Sequence, residues 1–223
     1  MPGRTLAIGD LHGCDHALET LLHQLALTSD DTVIFLGDIV DRGPGTRQAI
    51  DRILELRRLC DVVTIMGNHE EMMRDAISRG WLFEGWLDFG GRETLNSYGG
   101  QVEDIPAEHL RFLTMLKPWW ETEHDIFVHA AVEPHLALVN QTANYLRWKH
   151  IDGSEPPHVS GKRIVCGHTR QTDGVPLVFN GWACIDTDPT GRGWLSCLDA
   201  DTNQVIQANQ KGKLRDFPLS KYA

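Results

Sequence analysis

The first third of the chain alternates short, continuous apolar runs with amphipathic stretches. Thr5–Ile8, Thr32–Leu36 and Val62–Met66 read as buried strands, because four or five apolar residues bounded by turn formers suit a sheet covered on both faces. Between them, His16–Leu25 places Leu18, Leu21, Leu22 and Leu25 at helical spacing, and Thr46–Leu59 does the same with Ile50, Ile53, Leu54 and Leu56. This order predicts βαβ units and a parallel sheet. A further helix is predicted from Glu70 to about Arg79. Residues 80–118, with Trp81, Trp86, Gly90, Gly91, Tyr98, Gly99 and Gly100, predict a helical or loop elaboration bordering a substrate, in which Trp81 and Trp86, like Trp119 and Trp120 beyond it, read as core. From Trp119 onward the runs shorten: Ile126–Val128, Arg163–Cys166, Val175–Phe179, Ala183–Ile185, Trp194–Leu198 and Val205–Ala208 predict a second, mostly antiparallel sheet packed on the first. With no internal repeat or linker, one domain over residues 1–223 is expected.

Composition narrows the class. Hydrophobic residues at 41% and charged residues at 23% are those of a globular protein. The 31 acidic against 21 basic side chains leave a formal charge of −10, which argues against a broad polyanion-binding surface and a stable nucleic-acid partner. Five cysteines, Cys14, Cys60, Cys166, Cys184 and Cys197, are odd in number and form no C-x-x-C pair. A disulfide framework or zinc knuckle is therefore not expected, and a reducing, cytoplasmic setting is. Met1-Pro2-Gly3-Arg4 leads into the first strand without an apolar leader, and no 18-residue apolar stretch occurs, so no membrane segment is expected.

The chemistry lies where the first three strands end, in Gly9-Asp10-Leu11-His12-Gly13, Gly37-Asp38-Ile39-Val40-Asp41-Arg42-Gly43 and Gly67-Asn68-His69-Glu70. Open α/β sheets place ligands at strand ends of this kind, and glycine allows the tight turn. Asp, His and Asn side chains gathered there can converge on divalent cations. Two cations about 3.5–4 Å apart clamp a phosphate and generate hydroxide near neutral pH. Val128-His129-Ala130 and Cys166-Gly167-His168-Thr169 follow later strand-like runs and complete a plausible ligand set. The other histidines, His16, His23, His109, His124, His135, His150 and His158, lack strand-end spacing and read as surface or loop residues.

The series GDLHG, GDIVDRG, GNHE, VHA and CGHT, spanning residues 9 to 169, resembles the phosphoprotein phosphatase family of calcineurin-like metallophosphoesterases, in particular its small bacterial and phage-type members. The resemblance implies a four-layer αββα sandwich with two packed mixed β-sheets. It also implies one metal held by Asp10, His12 and Asp38 and a second held by Asp38, Asn68, His129 and His168, with Asp38 bridging. A mixed oxygen and nitrogen shell suits manganese, with iron or zinc as alternatives, better than calcium.

In-line attack on phosphorus by a metal-bridging hydroxide is expected, with His69 protonating the leaving oxygen and Asp41 orienting and charging His69. Arg42 is predicted to bind phosphate through its planar guanidinium, and Arg147 resembles a family phosphate-binding arginine in its location. Met66 stands where many members have arginine, so one phosphate clamp is absent at that position. Glu70 reads as a loop-orienting residue. The first functional expectation is a phosphomonoesterase of the serine/threonine protein phosphatase type, with tyrosine and aryl phosphate activity. Its substrate would be a phosphorylated protein or small phosphoester. The alternatives are a diadenosine polyphosphate hydrolase and a non-catalytic metal-binding regulatory module.

Overall fold

A computed structural model describes residues 3–80 and 82–222 of the protein. The apolar runs of the first third become β1 (Thr5–Ile8), β2 (Thr32–Phe35) and β3 (Asp61–Thr64), paired parallel. Strand alternation sends their side chains to opposite faces. Leu6, Ile8, Val33 and Phe35 meet Leu18 and Leu21 of α1 (Asp15–Leu25) and Ile50 and Ile53 of α2 (Thr46–Leu56). Ala7, Ile34 and Val63 face the other way and pack on a second sheet through Phe127, Val165 and Ala183.

Helix α3 (Asn68–Arg79) begins two residues earlier than the periodicity predicts, because the Glu70 carboxylate accepts the Gly67 N–H at 2.9 Å and caps the first turn. The region expected to elaborate the substrate side is helical: α4 (Phe83–Trp86), a π-helical turn over Leu87–Gly91, α5 (Arg92–Tyr98) and α6 (Ala107–Thr114). Trp86, Leu95 and Phe112 from these elements enter the core beneath the helices. Trp119 and Trp120 are half-buried against the second sheet, and Trp81 lies outside the described residues.

The second sheet has the order β4 (Trp120–Glu121), β5 (Asp125–Phe127), β6 (Arg163–Cys166), β8 (Trp182–Cys184) and β7 (Leu177–Phe179). Its outer face, Ile126, Ile164 and Trp182, packs under Leu146 of α7 (Ala143–Trp148). Helices, sheet, sheet and helix give the αββα layering expected.

Two expectations about strand pairing are corrected. The second sheet is mixed, as the resemblance implies, and not mostly antiparallel as the spacing of the runs predicts, since β5, β6 and β8 run parallel and only its edge strands β4 and β7 are antiparallel. The last strands, β9 (Leu195–Asp199), β10 (Gln204–Ala208) and β11 (Leu214–Pro218), instead extend the first sheet antiparallel from β1, in the order β11-β10-β9-β1-β2-β3. Burial explains the choice. Leu195 and Cys197 face the helices while Leu198 faces the other sheet, and a strand apolar on both sides forfeits roughly 1.5–3 kcal/mol per large side chain left in water. The position beside β1 covers both.

His109 and His158 also depart from the surface reading, for both are buried. His109 bridges the Tyr98 hydroxyl at 2.8 Å and the Asp51 carboxylate at 3.0 Å, and His158 reaches the Leu136 carbonyl at 3.0 Å. They satisfy polar atoms at packed junctions. All five cysteines are free and buried. Among the described residues, no helix is long and apolar enough to cross a membrane.

Candidate active site

The parallel strands of both sheets deliver their C-terminal turns to one place. Asp10, Asp38, Asn68, His69 and His168 line a common cavity of about 960 Å³ together with Arg42, and His129 Nε2 lies 3.0 Å from Asn68 Oδ1 at its base. The turns are strained to achieve this. His12, Asp38, Asp41, Arg42 and His168 hold φ of 45°, 47°, 70°, 68° and 61°, a left-handed conformation that non-glycine residues adopt at a cost of about 1–3 kcal/mol each. Two glycines leave room for the carboxylates. A Cβ on Gly67 would stand 2.1 Å from Asp38 Oδ1, and one on Gly167 would stand 1.9 Å from Asp10 Oδ1.

Two donor groups share Asp38. His12, Asp38 and His69 bring ligand-type atoms within 4.8 Å of one another, as do Asp38, His129 and His168. Asp38 presents one oxygen to each: Oδ2 lies 3.5 Å from His12 Nε2, and Oδ1 lies 3.4 Å from His129 Nε2. Asn68 Oδ1 is 3.0 Å from both His129 Nε2 and His168 Nδ1. Of the predicted ligands, Asp10 stands apart from these groups. Its two oxygens each accept the His168 backbone N–H at 3.1 Å.

The donor chemistry fits a pair of cations. His12 Nδ1 is 3.0 Å from the Val40 carbonyl and His129 Nδ1 is 3.0 Å from the Leu36 carbonyl. Only an N–H can make those contacts, so in the neutral rings each Nε2 carries the lone pair, with an Asp38 oxygen 3.5 Å from that of His12 and 3.4 Å from that of His129. Burial pushes the His12 and His168 imidazoles down to about 3, leaving them neutral as metal ligation requires. His168 Nε2 is buried without a protein partner. Burial, with Asp186 and Asp38 close by, pushes the Asp10 carboxyl well above its usual range, which marks a cluster of buried carboxylates that cations would relieve.

His69 and Asp41 form a separate pair, with Nδ1 2.7 Å from Oδ2. Asp41 also accepts the Trp86 indole N–H at 3.0 Å and the Thr94 hydroxyl at 2.9 Å. Because an indole only donates, these contacts keep Asp41 an acceptor and place the proton on His69. Burial opposes a charge on His69, but Asp38 and Asp41 outweigh it and raise its pKa. Glu70 behaves as the orienting residue expected. Its carboxylate accepts four backbone N–H groups, from Gly67 at 2.9 Å, Asp38 at 2.9 Å, Ile39 at 2.6 Å and Val40 at 3.2 Å.

Of the two predicted phosphate binders, Arg42 lines the cavity, with Nη1 2.8 Å from His12 Nε2. Arg147 does not line it. Its guanidinium is paired with Glu71, which also accepts the Trp148 indole N–H at 2.8 Å. Three contributors carry little signal in the sequence. Trp86 and Thr94 hold Asp41 from more than forty residues away, and Asp186, buried beyond the end of β8, is pushed up to about 7 chiefly by that burial. His150, read as a surface residue, stacks on His168 at 4.4 Å between ring centroids.

A αββα sandwich with these strand-end donors defines a metal-dependent phosphoesterase. Residues 3–181 match the calcineurin-like phosphoesterase family, and the chain belongs to that family, whose fold uses a dinuclear metal site. It is 35% identical to the asymmetrical bis(5'-nucleosyl)-tetraphosphatase PrpE of Anoxybacillus flavithermus, over 86% of this chain and 88% of that protein. It is 41% identical to a symmetrical bis(5'-nucleosyl)-tetraphosphatase of Citrobacter koseri, over only 30% of this chain and 23% of that one. In fold, it resembles a protein provisionally named a diadenosine tetraphosphatase (TM-score 0.68, 18% identity, 98% and 96% of the two chains). It also resembles a cold-active protein tyrosine phosphatase (TM-score 0.67, 18% identity, 99% and 80%).

Proposed function

We propose that the protein hydrolyses dinucleoside polyphosphates at a dinuclear metal centre. The observation that carries this reading is the cavity itself. From the donor cluster it extends along Met72, Leu82, Phe89 and Trp148, and a chamber of about 960 Å³ is of the size that encloses a whole small-molecule ligand. The relative from Anoxybacillus flavithermus, matched along most of its length, supports the same substrate class.

In this reading Asp10, His12 and Asp38 would hold one cation, and Asp38, Asn68, His129 and His168 would hold the other. Bound there, the two cations would supply the nucleophilic hydroxide and neutralise phosphate charge. Arg42 swings from His12 to engage two oxygens of the reacting phosphate, a geometry suited to its planar fork. Charged His69 does not ligate; it gives its proton to the leaving oxygen, and Asp41 stabilises that charge under the fixed orientation set by Trp86 and Thr94. Glu70 holds the backbone of Asp38 and so aims its carboxylate.

A serine/threonine protein phosphatase with tyrosine and aryl phosphate activity is the second reading, because Glu71 and Asp75 on the cavity wall suit a basic phosphopeptide. Chelation is expected to abolish activity and manganese add-back to restore it. Diadenosine tetraphosphate is then expected to be cleaved with a higher kcat/KM than phosphoserine peptides, an aryl phosphate or single-stranded DNA. Cleavage of phosphopeptides alone would replace the first reading with the second, and no hydrolysis of any substrate after add-back would favour a regulatory module.

A further inference from the structure

Two large rings in the cavity remain exposed, although their supports are fixed. Phe89 is 61% exposed and Trp148 is 41% exposed, and both line the chamber that holds the donor cluster. Phe89 sits in the π-helical turn beside Gly90. The Gly90 carbonyl accepts the Arg42 N–H at 3.1 Å, and φ at Gly90 is 115°. A Cβ there would stand 2.5 Å from the Arg42 nitrogen, so the ring is carried on the same backbone junction as the predicted phosphate arginine. Trp148 is anchored twice. Its indole N–H donates to Glu71 at 2.8 Å. Its helix is tied to the turn after His129 by bonds from the Ala130 and Ala131 N–H groups to the Leu146 and Tyr145 carbonyls, at 2.9 and 3.1 Å.

Exposed rings on rigid supports lose little entropy on binding a planar partner. The chemistry of the wall selects that partner. Met72, Leu82, Phe89 and Trp148 are apolar, the carboxylates Glu71 and Asp75 that share the lining are held by Arg147 and by Arg74 and Arg79, and the arginines of the lining are Arg42 and Arg170. A phosphate is therefore drawn to the donor cluster and Arg42, while the rings and methyl groups of Phe89, Trp148, Met72 and Leu82 suit an uncharged, planar heterocycle.

We propose that Phe89 and Trp148 form a nucleobase-stacking subsite that sets the preference for nucleotides over simple phosphoesters. The inference rests on the dinucleoside polyphosphate reading and assigns its base. Glu71 is the positioning residue of this subsite, since its carboxylate fixes the indole edge and the Arg147 guanidinium together. Stacking of one base on one aromatic ring is worth about 1–3 kcal/mol on truncation to alanine, which corresponds to roughly 5- to 150-fold in affinity.

The test compares AMP with ribose 5-phosphate by titration calorimetry on metal-loaded protein, for wild type, Phe89→Ala, Trp148→Ala and Trp148→Phe, alongside steady-state kinetics on diadenosine tetraphosphate. Each alanine variant is expected to weaken AMP on the order of 10-fold and to raise KM for the dinucleotide similarly, with ribose 5-phosphate shifted less than twofold. Trp148→Phe, which keeps a ring, is expected to recover most of the loss. Equal weakening of AMP and ribose 5-phosphate, or no weakening of either, would overturn the subsite. If wild type binds AMP in preference to ribose 5-phosphate through these rings yet cleaves no dinucleotide, the subsite stands and the reading of the substrate falls. Circular dichroism of each variant guards against loss of fold.

Discussion

Replacing His69 with Asn is expected to lower turnover of alkyl phosphomonoesters by about 10²–10⁴-fold, the usual worth of a positioned general acid, while both metals stay bound. Asn preserves a donor toward Asp41 but has no proton to give. The fold should survive, because Asp41 keeps the Trp86 N–H and the Thr94 hydroxyl, and the donor groups keep His12, Asp38, His129 and Asn68. A substrate with a good leaving group, such as p-nitrophenyl phosphate, needs little protonation and should lose much less. Metal content by atomic emission and kcat on alkyl and aryl substrates check both halves. An equal loss on every leaving group would remove His69 from this role.

The strand-end motifs made most of the site legible before the fold was known. Glycine followed by an acid or amide at the end of an apolar run encodes a tight turn and a metal-type donor in the same few residues. Local periodicity also located β1, β2, α1 and α2 to within a few residues. What stayed hidden depends on partners distant in sequence. Nothing in Trp194–Leu198 alone says that it will lie beside β1 rather than in the second sheet, since that choice is made by burial on both faces. The same dependence reaches the chemistry: a mostly antiparallel second sheet gives no reason to look at Asp186, whereas in the observed sheet β8 runs parallel to β6 and Asp186 follows its C-terminal end as Asp10 and Asp38 follow β1 and β2. Trp86 could be read as core from its setting, and it is buried, but its indole N–H also spans 45 residues to Asp41, a contact with no periodic signature. The Glu71 clamp on Arg147 and Trp148 spans more than 70 residues, and it is why a basic side chain in the expected location sits outside the cavity lining.

Glu70→Ala is expected to cost at least about 4 kcal/mol of stability. The carboxylate is fully buried and accepts N–H groups from Gly67, Asp38, Ile39 and Val40. Each buried donor left unmade costs roughly 1–3 kcal/mol, partly relieved by any water that enters the space, so four together approach the 5–15 kcal/mol total of a typical domain. Glu70→Gln separates charge from geometry. One amide oxygen can still serve the pair at one end, but the NH₂ must then face two backbone donors, so a loss of about 2–5 kcal/mol is expected from an intermediate variant. Because three of the four donors belong to residues 38–40, the damage should concentrate on the turn that aims Asp38 at both donor groups, and manganese affinity should fall together with stability. Urea denaturation with and without manganese reads both effects. If Glu70→Ala unfolds within about 1 kcal/mol of wild type, or loses stability with manganese affinity intact, then Glu70 does not hold the Asp38 carboxylate in place.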